Sequence, residues 1–245
     1  MAKKVAIIGG GLAGLAAACR LAHHGLQVSL FEQEPVLGGK LGEQRHAGFR
    51  FDVGPTLLTM PFVIDELFAS VGKNRSDDLT FTPLSHLCRY FFADGSVLDS
   101  FSDLERFTGE ISRLSPADQG SLHRFMTYSK RIYDLTAQSF LFSPIHEPSS
   151  WFTRQNAATL LRLHHIDPLV SVHRGVSRFF SDARLRQLFD RYATYNGSNP
   201  FQAPATLNII PYVEYGLGGF YVQGGMYRRS EKHTSELQSP NTISY

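Results

Sequence analysis

At 245 residues the chain has room for one large domain or two modest ones, and an apolar content of 42% suffices for a core. A net charge of +2 without any Lys/Arg run excludes a polyanion footprint, so no nucleic acid partner is expected. Two cysteines, Cys19 and Cys88, exclude a disulfide framework and suit buried thiols in a reducing, cytoplasmic setting.

In chain order, Val5 to Ile8 is a short apolar run of the kind a buried parallel strand shows. Gly9 to Gly14 then fits G-x-G-x-x-G. An Ala/Leu-rich run from Leu12 to His24 predicts a helix that stops at Gly25, and Leu26 to Phe31 predicts a second strand ending at Glu32. The acid stands 18 positions after Gly14, close to the separation of about 20 that a dinucleotide fingerprint shows. Gly9 permits the tight turn, Gly11 lets backbone approach a pyrophosphate, and Gly14 lets helix pack on strand. The helix N-terminus, at Leu12 and Ala13, offers amides and a positive dipole end to phosphate. Glu32 suits an unphosphorylated ribose, which argues against NADP. Lys3-Lys4 followed by uncharged Val5 to Cys19 also mimics a secretory signal, but the glycines and Glu32 speak against one.

Gln33 to Gly42 is a loop whose Gly38-Gly39-Lys40 would continue the nucleotide site. Phe49 to Val53 alternates as a half-buried strand, broken by Gly54-Pro55-Thr56. Met60 to Val71 carries a helical apolar stripe ending at Gly72. Phe81 to Asp99 predicts a hairpin turning at Asp94-Gly95. Ser102 or Asp103 can cap a helix through Leu114, and Ser115-Pro116 predicts the start of a helix running to about Phe142. Further helical stretches are expected over Asn156–His165, Pro168–Phe180 and Ala183–Ala193, the last capped by Ser181-Asp182. His164-His165 is no metal pair, since adjacent residues face apart on a helix and no Cys, Asp or Glu cluster accompanies them. Asn196-Gly197-Ser198 reads as a turn, and Tyr212 to Met226 as one or two strands with a tight turn. Ser230 to Tyr245 is polar, unpatterned and expected to be disordered.

Together, the fingerprint, Glu32, Leu37-Gly38-Gly39-Lys40, Phe51 to Thr56, Tyr195 to Ser198, Gln202 to Ala205, Gly218 to Tyr221 and Gly224-Gly225-Met226 make Lys3 to Arg228 resemble a bacterial carotenoid desaturase of the phytoene desaturase family. That family lies among the FAD-dependent amine-oxidase-like flavoproteins. The resemblance implies an α/β fold: a Rossmann-like FAD-binding domain of the GR2 type, here incomplete, with an inserted, mainly helical substrate domain. The expected divisions are 1–59 for the first part of the FAD domain, 60–204 for the substrate domain, 205–229 for strands returning toward the flavin, and 230–245 for a tail resembling translated adaptor DNA. It implies that Gly9, Gly11, Leu12, Ala13 and Gly14 hold the FAD pyrophosphate, that Glu32 and Gln33 serve the ribose, and that Gly38, Gly39 and Lys40 extend the site. Gly54, Pro55 and Thr56 would lie near the isoalloxazine. No residue stands out as catalytic or metal-binding; Asp52 reads as a strand-end carboxylate capping the next turn, with a place near the flavin as the alternative. Relative to the family, a second half is expected to be missing beyond Ser230.

The function implied is FAD-dependent desaturation of a long apolar carotenoid precursor, by a cytoplasmic protein bound peripherally to the membrane. The rivals are another flavin amine oxidase-like enzyme and a non-catalytic isoprenoid-binding relative. The 19 phenylalanines fit an aromatic core or an apolar lining, and the count by itself favours the core.

Overall fold

The structure, a computed structural model, describes residues 3–142 and 166–227. The chain divides into two units, Met1–Leu84 with Gly219–Tyr245, and Ser85–Gly218. The expected helix over 156–165, His164-His165 and the polar tail lie outside the described residues.

The first unit is mixed α/β. Strand β1 (Lys4–Ile8), helix α1 (Leu12–His23) and strand β2 (Gln27–Phe31) follow one another, and β1 and β2 pair in parallel with Lys4 opposite Gln27 and Ile8 opposite Phe31. Ala/Leu spacing buries Leu15, Ala18 and Cys19 of α1 against Val28 and Leu30 of β2. Each such large side chain removed from water contributes about 1.5–3 kcal/mol. The helix ends at Gly25, whose φ of +77° is the left-handed conformation that closes a helix without a Cβ penalty.

Strands β3 (Glu43–His46) and β4 (Phe49–Asp52) form an antiparallel hairpin. The alternation expected over Phe49 to Val53 is present, but its faces are reversed. Phe49, Phe51 and Val53 are 68%, 54% and 60% exposed, whereas Arg50 and Asp52 turn inward. The reason is a charge network, described below, that only tertiary contact supplies.

Strand β5 (Leu58–Thr59), helix α2 (Phe62–Ser70) and strand β6 (Phe81–Pro83) complete this unit with strand β9 (Gly219–Val222). β9 lies antiparallel between β5 and β6, so Phe81–Pro83 belongs to this sheet rather than to the expected hairpin. Those pairings hold residues 60–84 in the first unit, where the sequence expects the inserted domain to begin at 60. Leu58, Ile64, Phe68, Leu79, Val222 and Met226 share its second core.

The second unit opens with the hairpin β7 (His86–Phe91) and β8 (Val97–Phe101), turning at Gly95 with φ +79°. Asp103 caps α3 (Leu104–Leu114), its carboxylate accepting the Arg106 amide at 2.7 Å. The continuous helix expected from Ser115 is interrupted: a 3-10 turn over Pro116–Asp118 is followed by Gly120 at φ +76°, and α4 starts afresh at Ser121–Phe140. Asp118 explains the break. Only 2% exposed, it accepts the Ser181 and Asp182 amides at 2.7 and 2.9 Å and the Ser115 hydroxyl at 2.8 Å, joining the start of α4 to a distant loop.

Helices α5 (Val172–Ser177) and α6 (Ala183–Asp190) are shorter than the sequence patterns suggest, and each is capped, by Ser171 and Asp182 respectively. Phe125 of α4 meets the rings of Phe180 and Phe189 at 5.4 and 4.7 Å, so much of the phenylalanine excess fills this core. Cys19 is buried but Cys88 only half-buried, and no disulfide joins them. The strand expected from Tyr212 is instead a π-helical turn, Tyr212–Gly216. Its Glu214, 2% exposed, accepts the Tyr192 and Tyr195 hydroxyls at 2.8 and 2.5 Å, and those tertiary bonds override the local β preference of a tyrosine-rich run.

Candidate dinucleotide-binding site

The glycine turn between β1 and α1 has the geometry its spacing implies. Gly9 adopts φ +98° as the chain leaves β1, and its amide donates to the Phe31 carbonyl at 2.7 Å, tying the turn to the end of β2. A Cβ at Gly14 would overlap the Gly9 carbonyl oxygen and sit 3.5 Å from Ile7, so helix and strand pack as closely as backbone permits. Gly11 differs: the nearest atom to its Cβ position is the Gly39 Cα at 3.9 Å, and the space beyond is open. Gly11 is also the N-cap of α1, with no side chain bonding the first-turn amides and no acid in that turn. The Leu12–Ala13 end of α1 therefore keeps donors and a positive dipole end available to an anion.

A second glycine turn closes on this one, and a third closes on the second. The Gly38 amide donates to the Gly10 carbonyl at 2.8 Å, and a Cβ at Gly39 would approach the Gly11 Cα to 3.1 Å. A Cβ at Gly54 would overlap the Lys40 carbonyl oxygen, and the Val53 amide donates to the Gly42 carbonyl at 3.0 Å. The structure thus brings Gly9–Gly14, Gly38–Lys40 and Gly54 together, with the Lys40, Pro55 and Thr56 side chains exposed.

Glu32 sits at the end of β2 with both carboxylate oxygens engaged. Oε2 accepts the Gly10 amide at 2.6 Å, and Oε1 accepts the Gln33 and Glu34 amides at 2.8 and 3.1 Å. The Glu34 and Gly10 amides, with that of Gln33, hold its carboxyl below the usual range against the opposing pull of desolvation, so it is an anion at neutral pH. Gln33 contributes its backbone rather than its side chain to these contacts. Sequence reading singled out the first, third and sixth fingerprint positions and passed over Gly10. A Cβ there would meet the Glu32 carboxylate at 3.1 Å and overlap the end of the Leu37 side chain, so a larger residue would have to displace one or both.

Asp52 does not cap the turn that follows it. Its Oδ1 accepts the Met226 amide at 3.1 Å and the Arg50 Nη1 at 3.1 Å, and Arg50 Nη2 donates to the Tyr221 hydroxyl oxygen at 2.5 Å. Nothing local marks this contact; it joins residues 174 apart. No group of three or more metal-capable side chains occurs among the described residues.

A parallel β-α-β unit with three glycine turns packed in succession and an ionised acid at the second strand end defines a dinucleotide-binding protein of the Rossmann-like class. Residues 7–70 match the NAD(P)-binding Rossmann-like domain family. The chain is 39% identical over 232 residues to a 1-hydroxycarotenoid 3,4-desaturase of Flavobacterium sp., covering 94% of this chain and 46% of that protein. It is 37% identical over 225 residues to a 4,4'-diapolycopene oxygenase of Methylomonas sp., covering 92% of this chain and 45% of the relative. Cyclohexylamine oxidase from Brevibacterium oxydans has a similar fold, with a TM-score of 0.58 and 19% identity, over 99% of this chain and 50% of that one. The chain is thus a homologue of carotenoid desaturases and oxygenases, and it spans about half the length of the curated relatives it matches.

Glutamine at position 32 removes the charge and leaves a single acceptor oxygen for the Gly10, Gln33 and Glu34 amides. Glu32→Gln is expected to weaken FAD binding about tenfold, the loss of one charge-assisted hydrogen bond. A fluorescence titration showing unchanged affinity would remove Glu32 from the site.

Proposed function

We propose that the protein is an FAD-dependent oxidoreductase that desaturates a carotenoid precursor. The observation that carries this is the packing of the Gly38–Gly39 turn on Gly10 and Gly11, beside the uncapped end of α1 and the Glu32 carboxylate, with Gly54 packed in turn on Lys40. That arrangement fits the diphosphate and one ribose of FAD. Gly9, Gly11 and Gly14, with the Leu12 and Ala13 amides, would hold the diphosphate. Glu32 and the Gln33 backbone would take the ribose, and Lys40 would add a cation beside the phosphates. Gly54, Pro55 and Thr56, a segment of little side-chain bulk, would flank the ring end. When bound, FAD supplies the hydride acceptor, chemistry no side chain can provide. The names of the relatives support a polyene substrate, for which the chain would provide orientation and a water-excluding apolar surface.

The test is to saturate the protein with FAD and offer phytoene-type polyenes and amines in parallel. Lengthened polyene absorption without peroxide from amines is the expected result. Peroxide from amines with an unaltered polyene would favour the amine oxidase alternative, and failure to take up FAD would favour a non-catalytic isoprenoid binder.

Because such substrates dissolve in bilayers, we further propose peripheral membrane association on the cytoplasmic side. No helix among the described residues is long and apolar enough to cross a membrane. Leu169 is 99% exposed and Leu141 48%, apolar groups a bilayer surface could accept. Flotation with liposomes is the expected behaviour, and recovery wholly at the bottom of the gradient would overturn it.

A further inference from the structure

We infer that Arg50 and Asp52 are a positioning clamp for dinucleotide binding, fixing the Gly224–Met226 turn against the strand end that leads into Gly54. The inference rests on the FAD reading above and assigns a role to residues that contact no proposed part of the cofactor.

Arg50 joins three groups from two distant chain segments. Its Nη1 donates to Asp52 at 3.1 Å and to Glu43 at 3.3 Å, and its Nη2 to the Tyr221 hydroxyl oxygen at 2.5 Å. Asp52, its side chain 7% exposed, uses the same Oδ1 to accept the Met226 amide at 3.1 Å. Lysine keeps the charge and can reach some of these partners, but only a guanidinium presents its donors in a fixed plane. The glycine between the two anchor points is shaped to the clamp. Gly225 has φ +101°, and a Cβ there would overlap Arg50 Nη1 and lie 3.0 Å from Asp52 Oδ1.

The route to the cofactor is short. Asp52 is two residues before Gly54, and Gly54 packs directly on the Lys40 carbonyl, itself beside the Gly38–Gly39 turn that meets Gly10 and Gly11. A shift at Asp52 therefore displaces two of the three glycine turns that make the site. The reversed faces of β4 fit this account, since burying Arg50 and Asp52 leaves Phe49, Phe51 and Val53 outward.

The test compares Arg50→Met, Arg50→Lys and Tyr221→Phe in the whole chain, reading hydrogen exchange at the Met226 amide, FAD affinity and thermal unfolding. Arg50→Met is expected to speed Met226 exchange and to weaken FAD binding, each about tenfold, as one lost charge-assisted contact would. Arg50→Lys should recover Met226 protection and part of the affinity, and Tyr221→Phe should fall between. Unchanged Met226 exchange in Arg50→Met would overturn the clamp. So would faster exchange with FAD affinity intact, or an affinity loss matched by global unfolding in all three variants. If the unsubstituted chain takes up no FAD, the proposed function fails, while Met226 exchange still decides whether the clamp holds the turn.

Discussion

Replacing Asp118 with alanine is expected to cost about 3 kcal/mol of stability, by removing a buried carboxylate that gathers several hydrogen bonds and leaving the buried Ser115 hydroxyl without that partner. The Ser181 and Asp182 amides and the Ser115 and Ser181 hydroxyls all converge on this one carboxylate. For a chain of this size the loss corresponds to a fall of about 6–12 °C in melting temperature. Asp118→Asn should cost less, since an amide keeps the shape and one acceptor. A melting temperature within error of the unsubstituted protein for Asp118→Ala would show that the loop at 181–182 is held by other means.

Its pH dependence follows from the same geometry. Burial pushes the Asp118 carboxyl up, but the Ser181 and Asp182 amides and the two serine hydroxyls more than reverse this, leaving it below the ordinary value. A group whose folded pKa is depressed stabilises fully above its unfolded pKa and loses that contribution as pH falls through the folded one. The window therefore lies below about pH 4, the unfolded aspartate value. Urea titrations across this range should show the stability gap between the unsubstituted protein and Asp118→Asn closing on acidification. Taking the difference cancels carboxylates elsewhere, such as Asp99, held at about 2 by Arg89 and then His86. A constant gap would contradict an ionised Asp118 at this position.

The second large effect separates two glycines of one motif. Gly14→Ala is expected to damage both fold and binding, because its methyl would overlap a backbone carbonyl, an atom that cannot swing aside. Overpacking of this kind costs about 1–3 kcal/mol. Gly11→Ala should leave stability unchanged, since its φ of −72° suits any L-residue and the nearest neighbour is 3.9 Å away. Its methyl would instead occupy the space the diphosphate needs, weakening FAD binding about 100-fold or more, equivalent to about 3 kcal/mol. Thermal unfolding paired with flavin titration distinguishes the cases. Normal FAD affinity in Gly11→Ala would place the cofactor elsewhere.

These effects differ in how far the sequence announces them. The run from Val5 to Glu32 specifies strand, turn, helix and strand almost by itself. Its apolar periodicity, helix-forming alanines and glycine stop are local properties, and α1 falls within a residue of its expected ends at Leu12–His23. Gly9 and Gly14 are legible because each answers a local demand, a left-handed turn at Gly9 and a close backbone approach at Gly14, whereas Gly11 is marked by its spacing in the motif. The cap at Asp103 and the turn at Gly95 belong to this class too.

What the tertiary structure alone decided depends on partners far along the chain. Alternation over Phe49–Val53 fixes which residues share a face, but the period is the same whichever face is buried. The choice came from Arg50 and Asp52, which find Tyr221 and Met226 some 170 positions later. The helix expected from Ser115 onward broke because Asp118 is committed to residues 63 and 64 positions away. The strand expected at Tyr212 became a helical turn because Glu214 is held by two tyrosine hydroxyls. In the last two cases a buried carboxyl group needs its hydrogen bonds more than the local backbone needs its preferred conformation, as an unpaired buried polar group costs more than a propensity difference. The sequence by itself thus determined the nucleotide-binding unit, whose demands are local. Only the tertiary structure decided which face of β4 turns inward, where the long helix breaks, and how the Gly224–Met226 turn is fixed to the site.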